Sequence, residues 1–96
     1  MSSIRFTWDP RKDKANQKKH GVSFQEGRSA FYDPNARVIH DPDRSHDEDR
    51  FVLLGVSFKL RALVVCHAYR EEDEVIRIIS ARKATRKEQQ QYREKL

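Results

Sequence analysis

Apolar and polar residues alternate along Ile4-Arg5-Phe6-Thr7-Trp8, a period of two that predicts a strand. Asp9-Pro10 follows as a helix N-cap with proline in the first turn, and the helix should run to about His20 and stop at Gly21. Ala15 is its one apolar residue, so long lysine stems are expected to cover its contact with the domain. Ser23-Phe24-Gln25-Glu26 has the spacing of a capping box and opens a second, shorter helix. Phe24 and Phe31 would share the buried face of that helix. Gly27 lies between them, at a cost of ~1 kcal/mol against alanine. Asp33-Pro34-Asn35 ends the helix, residues 36–40 read as a short strand, and residues 41–49 as a loop.

Three stronger strands are expected at residues 50–57, 61–69 and 74–81, each rich in Val, Ile, Leu or Phe. Their short polar connectors predict antiparallel hairpins. Thr85-Arg86-Lys87-Glu88 is another capping box and starts a C-terminal helix, in which Ala84, Glu88, Tyr92 and Leu96 form a thin docking stripe. The order is β-α-α-β-β-β-β-α. This predicts an α+β fold with one antiparallel sheet, two N-terminal helices and one C-terminal helix. No repeat, low-complexity tract or linker interrupts it, and residues 1–96 are expected to form a single domain.

Composition narrows the function. Ninety-six residues allow one thin core, which excludes large multidomain enzymes and dinucleotide-binding domains. Hydrophobic and charged residues each make up 36% of the chain, and no apolar run approaches the ~20 residues of a membrane span. The N-terminus lacks the apolar stretch of a secretory signal, and one cysteine allows no internal disulfide. A cytoplasmic protein without membrane contact is expected.

Twenty Lys+Arg against fifteen Asp+Glu give a net charge of +5. Residues 11–20 carry five basic side chains and one acid, and residues 77–96 carry seven against Glu88 and Glu94. Residues 41–49 reverse the sign, with five acids against Arg44. Two basic stretches fit a polyanion such as nucleic acid, although well-solvated faces would give the same count. Asp41-x-Asp43-x-Ser45-x-Asp47 starts like a calcium loop, but His46 stands in place of the needed glycine and Val52 in place of the closing Glu. No metal or cofactor is expected.

Alternation along residues 61–69 sorts the side chains of that strand. Arg61, Leu63, Val65, His67 and Tyr69 share one face. Ala62, Val64, Cys66 and Ala68 share the other, which is small and apolar and is expected to lie under the helices. The His67 face would then be open, and Arg77 of the next strand would join it. An imidazole beside guanidiniums suits cleavage of an RNA phosphodiester by its own 2′-hydroxyl, which needs proton transfer and charge stabilisation. The structural alternatives are a surface histidine, salt-bridged arginines, a tyrosine covering the sheet, and Cys66 and Trp8 as core packing.

Phe6-x-Trp8-Asp9, Asn16-x-x-Lys19-His20-Gly21-Val22-x-Phe24 and Phe31-x-Asp33-Pro34 resemble the BrnT family of bacterial toxins. So does Arg77-Ile78-Ile79-Ser80-Ala81-Arg82-Lys83-Ala84, with Glu88 and Tyr92 after it. The resemblance implies a RelE-like fold and a type II toxin acting as an RNA endonuclease. It also implies a BrnA-type antitoxin with a ribbon-helix-helix domain, which neutralises the toxin and brings it to operator DNA only as a complex. Arg50, Arg61, His67, Arg70, Arg77, Arg82 and Lys83 match the family's polar pattern. Ala68-Tyr69 stands where Thr-Glu is often expected, and Gly27-Arg28 where a small apolar pair is.

The resulting expectation is a metal-independent endoribonuclease. His67 would transfer the proton, and Arg61, Arg70, Arg77 and Arg82 would bind the scissile phosphate. Lys83, Arg86 and Lys87, with Lys18, Lys19 and His20 behind them, would hold flanking RNA. The alternative is a noncatalytic nucleic-acid- or partner-binding module.

Overall fold

The computed structural model describes residues 4–40, 49–72 and 74–94. The elements are β1 (Arg5–Thr7), α1 (Pro10–His20), α2 (Phe24–Ser29), β2 (Arg37–His40), β3 (Phe51–Val56), β4 (Ala62–Arg70), β5 (Val75–Lys83) and α3 (Arg86–Glu94). A 3₁₀ turn at Ala30–Tyr32 extends α2. The order is the expected β-α-α-β-β-β-β-α. The five strands form one sheet in the order β1-β5-β4-β3-β2. It is mixed rather than wholly antiparallel, because β1 runs parallel to β5. The crossover through α1 and α2, and on through the strands that follow, returns the chain beside its start.

Local chemistry accounts for the helix boundaries. The Asp9 carboxylate accepts from the Arg11 N–H at 2.8 Å, and Gly21 ends α1 at φ 68°, where glycine carries no Cβ penalty. Asn16 docks α1: its amide donates to the carbonyls of Val22 and Ala81 and accepts from the Ala81 N–H. Ala15 is exposed. The contact therefore centres on a buried amide clamp, where lysine stems were expected. Ser23 caps α2 by accepting from the Glu26 N–H, but the Glu26 carboxylate turns inward instead of closing the box. At α3 the box is reciprocal: Thr85 Oγ1 accepts from the Glu88 N–H, and Glu88 accepts from the Thr85 N–H.

The core lies between α1, α2 and one face of the sheet, and contains Val22, Phe24, Leu63, Val65, Ile78 and Ala81. A Cβ on Gly27 would stand 3.2 Å from the Ala81 Cβ and 3.6 Å from Val65. Glycine here allows the close approach of α2 to the sheet. Between Cys66 and His67 the β4–β5 register shifts by one residue, since Cys66 pairs with Ser80 and His67 with Ile78. The extra residue, Ile79, lets Ile78 and Ala81 both face the helices.

Candidate active site

The expected faces of β4 are reversed. Leu63, Val65 and His67 are fully buried under the helices, whereas Cys66 is only half-buried on the opposite face. The large aliphatics fill the space that Gly27 opens, so the small-residue face is the one the two N-terminal helices leave uncovered. Cys66 is accordingly not a helix-side core residue. Trp8 does pack on the core, edge-on to Phe24.

The expected catalytic group divides across the sheet. His67 lies within an aromatic cluster, with ring centroids 4.8 Å from Phe31, 5.3 Å from Tyr69 and 6.2 Å from Phe51. Its Nδ1 lies 3.1 Å from the Val65 carbonyl and therefore carries the proton, while the buried Nε2 makes no hydrogen bond to any of the described residues. Burial lowers its pKa, against the raising effect of that carbonyl, so the ring is neutral. Sealed from solvent, it does not share an open face with Arg77.

Arg61 is on the helix side as well. Its guanidinium makes a two-pronged ion pair with Glu26 and reaches the Gly21 carbonyl at 3.2 Å. Ser57 Oγ donates to the same carboxylate at 2.7 Å. Burial raises the Glu26 pKa, but Arg61, Ser57 and nearby Lys59 outweigh it and hold the carboxyl below its usual range. Only the Glu26 end of the pair is fully buried, so loss of Arg61 would leave a buried carboxylate without its counter-charge.

On the other face, β-register places Arg77 opposite Ala68, Arg70 opposite Val75 and Arg82 opposite Val64. Arg77 is half-buried and Arg70 is exposed. Arg82 is held bidentately by Glu88 at 2.8 and 2.9 Å, which lowers the Glu88 pKa to about 2. The C-terminal helix edges this face. Tyr92 donates to Asp33 at 2.5 Å, and Asp33 also accepts from the Val56 and Asn35 N–H groups. Between α3 and the strands runs a groove of about 360 Å³, with Ile39, Val52, Leu54 and Val64 on its floor and Arg37 and Glu88 among its polar residues.

The remaining candidates lie further out. Lys83, Arg86 and Lys87 are exposed at the β5–α3 junction, and Lys18 and Lys19 are exposed with half-buried His20 in the last turn of α1. Sequence reasoning missed Arg37 as a groove residue and Glu88 as the partner of Arg82. The parity of Arg37 with Ile39 would have suggested the first, and the capping box already pointed Glu88 toward the end of β5. Among the described residues no cluster of three His, Cys, Asp or Glu side chains could hold a metal, and no helix is long and apolar enough to cross a membrane. Most of the acidic segment, residues 41–48, lies outside the described residues.

A family model described as the ribonuclease toxin BrnT of type II toxin-antitoxin systems matches residues 8–88. The chain belongs to the BrnT family. Its fold is also that of the Brucella abortus ribonuclease toxin BrnT, whose 1.1 Å crystal structure matches with a TM-score of 0.67 at 22% identity. That match covers 88% of this chain and 100% of the Brucella chain. No curated protein sequence matches. BrnT membership thus rests on the family model over residues 8–88, and the structural likeness supports the fold.

Proposed function

We propose that this BrnT-family protein is a metal-independent endoribonuclease toxin of RelE-like type, acting in the cytoplasm as a single domain. The observation that carries the site is the placing of Arg70, Arg77 and Arg82 on the sheet face away from α1 and α2. In this reading Arg77 and Arg70 bind the scissile phosphate, and Arg82, whose fork is engaged by Glu88, lines the path of the RNA along the same face. The 2′-oxygen of the RNA bonds to phosphorus and the 5′-oxygen departs, leaving a cyclic phosphate and a 5′-hydroxyl end. The proton lost at the 2′-oxygen is matched by one gained at the 5′-oxygen. Arginine suits the phosphorane because its fork stays charged and spans two oxygens. Lys83, Arg86 and Lys87 hold flanking phosphates, with Lys18, Lys19 and His20 as outlying contacts.

Arg61 and His67 take supporting roles: Arg61 neutralises buried Glu26, and His67 fills the core at the register shift. A BrnA-type ribbon-helix-helix antitoxin neutralises the toxin and carries it to operator DNA. Family membership supports this partner.

The test is cleavage of end-labelled RNA in EDTA by antitoxin-free protein, with and without ribosomes. Wild type should give cyclic-phosphate ends. Arg77→Gln should slow cleavage by about 10²–10³, the effect of losing one transition-state charge stabiliser. Intact RNA with wild type, despite salt-sensitive binding, would instead identify a noncatalytic binding module.

A further inference from the structure

A second pocket lies away from the arginine face, between α2 and the turn that joins β3 to β4. It has a volume of about 250 Å³ and is lined by Gln25, Arg28, Ser29, Tyr32 and Phe58. Two aromatic rings stand in water here, Tyr32 at 66% exposure and Phe58 at 61%. Neither is needed for the core. Both are nonetheless held in place. The Phe58 N–H donates to Ser29 Oγ at 3.0 Å, and Ser57 and Arg61, on either side of the turn, are tied to buried Glu26. The Tyr32 ring leans on Phe6 with centroids 6.2 Å apart, and the Arg28 guanidinium sits 5.4 Å over the same Phe6 ring. Lys59, next to Phe58, is exposed.

Exposed, pre-positioned aromatics beside cationic side chains form a platform for an unstacked nucleobase. Ring faces stack the base, the cations meet its phosphates, and groups such as Gln25 meet its edge. An aliphatic protein segment would have little use for Arg28 and Lys59. The pocket's place in the fold agrees. Arg82 pairs with Val64, three residues along β4 from Arg61 at the turn, or about 10 Å at strand rise. A strand with a phosphate on Arg82 could pass over this end of the sheet.

We propose that this pocket stacks a base of the single-stranded RNA substrate against Tyr32 and Phe58. The assignment rests on the ribonuclease reading and adds a substrate subsite to it. The test uses a short 2′-O-methyl single strand, which lacks the attacking hydroxyl, with binding followed by fluorescence anisotropy. Phe58→Ala and Tyr32→Ala should each weaken binding by about 5- to 150-fold, the equivalent of ~1–3 kcal/mol per stacked base, and should leave the salt dependence unchanged. Tyr32→Phe should bind like wild type, and a duplex of the same sequence should not distinguish the variants. Both side chains are on the surface, so melting temperatures should stay near wild type and separate lost stacking from lost fold. Single-strand binding within twofold of wild type in both alanine variants overturns the proposal, as does equal weakening for duplex. Variants that keep strand binding but lose capture by the antitoxin also overturn it, in favour of a protein contact. Failure of wild type to bind the strand overturns it too, while cleavage in EDTA judges the ribonuclease reading independently.

Discussion

At the scale of single residues, chemistry inside this protein is set by which side of the sheet a side chain occupies. His67 and Arg77 are both polar members of adjacent strands, but His67 is sealed among Phe31, Phe51 and Tyr69, whereas Arg77 lies on the opposite face. A neutral buried imidazole has a measurable consequence. Its folded-state pKa is below the ordinary 6.5, so the unfolded chain binds more protons as pH falls through that region. Stability should be fully present above about pH 6.5–7 and decline toward pH 5. The lowered carboxyls of Glu26 and Asp33 act in the same direction, but only below their reference values of 4.5 and 3.8. Urea unfolding of wild type and His67→Leu between pH 5 and 8 separates these contributions. The difference between the two free energies should shift toward the variant as pH drops, because leucine keeps the burial without the titration. Parallel curves would mean that His67 is solvated and able to take a proton in the folded state.

At the scale of elements, the caps were legible and the docking was not. Asp9-Pro10, Gly21, Ser23 and Thr85 set their helix ends by local hydrogen bonds, which sequence spacing encodes directly. Asn16 was hidden, because a lone amide on a polar helix looks solvated until Val22 and Ala81 present their backbone to it. The face of β4 was hidden for a related reason. Alternation sorts side chains into two sets but does not say which set meets the helices, and the extra residue Ile79 disturbs parity along β5. The overlooked sign was Gly27. Read only as a helix-propensity penalty, it is the space into which Val65 and Ala81 fit. Gly27→Ala tests this. Propensity alone would gain up to ~1 kcal/mol. The new Cβ, however, would stand 3.2 Å from the Ala81 Cβ, and Ala81 is pinned at both its N–H and its carbonyl by Asn16. The strand cannot easily give way, so Gly27→Ala should destabilise by about 1–3 kcal/mol, as overpacking does. Ala81→Gly in the same chain should recover much of the loss. A stabilised single variant, read by denaturant midpoint at unchanged slope, would show that the helix–sheet contact is looser than this geometry.

At the scale of the whole molecule, net charge was legible from composition, but its division between two faces was not. The basic residues of α1 and those of β4–β5 look alike in a count, yet the fold puts α1 over the core and Arg70 and Arg77 on the far side of the sheet. The proposed RNA path uses the β4–β5 face and, at its margin, the last turn of α1, but not the first half of that helix. Counterion release distinguishes them, because each phosphate neutralised on a single strand contributes about −0.7 to the slope of log K against log salt. Binding of the noncleavable single strand should therefore lose about that much slope in Arg70→Gln and again in Arg77→Gln. Lys12→Gln and Lys14→Gln, which remove the same charge from the first half of α1, should leave it unchanged. All four variants have the same net charge, so a general electrostatic attraction would flatten every slope alike. That outcome would remove the arginine face as a site and return the basic residues to the role of solvated surface. A loss confined to Arg70 and Arg77 would instead tie RNA to the face where the phosphate chemistry is proposed.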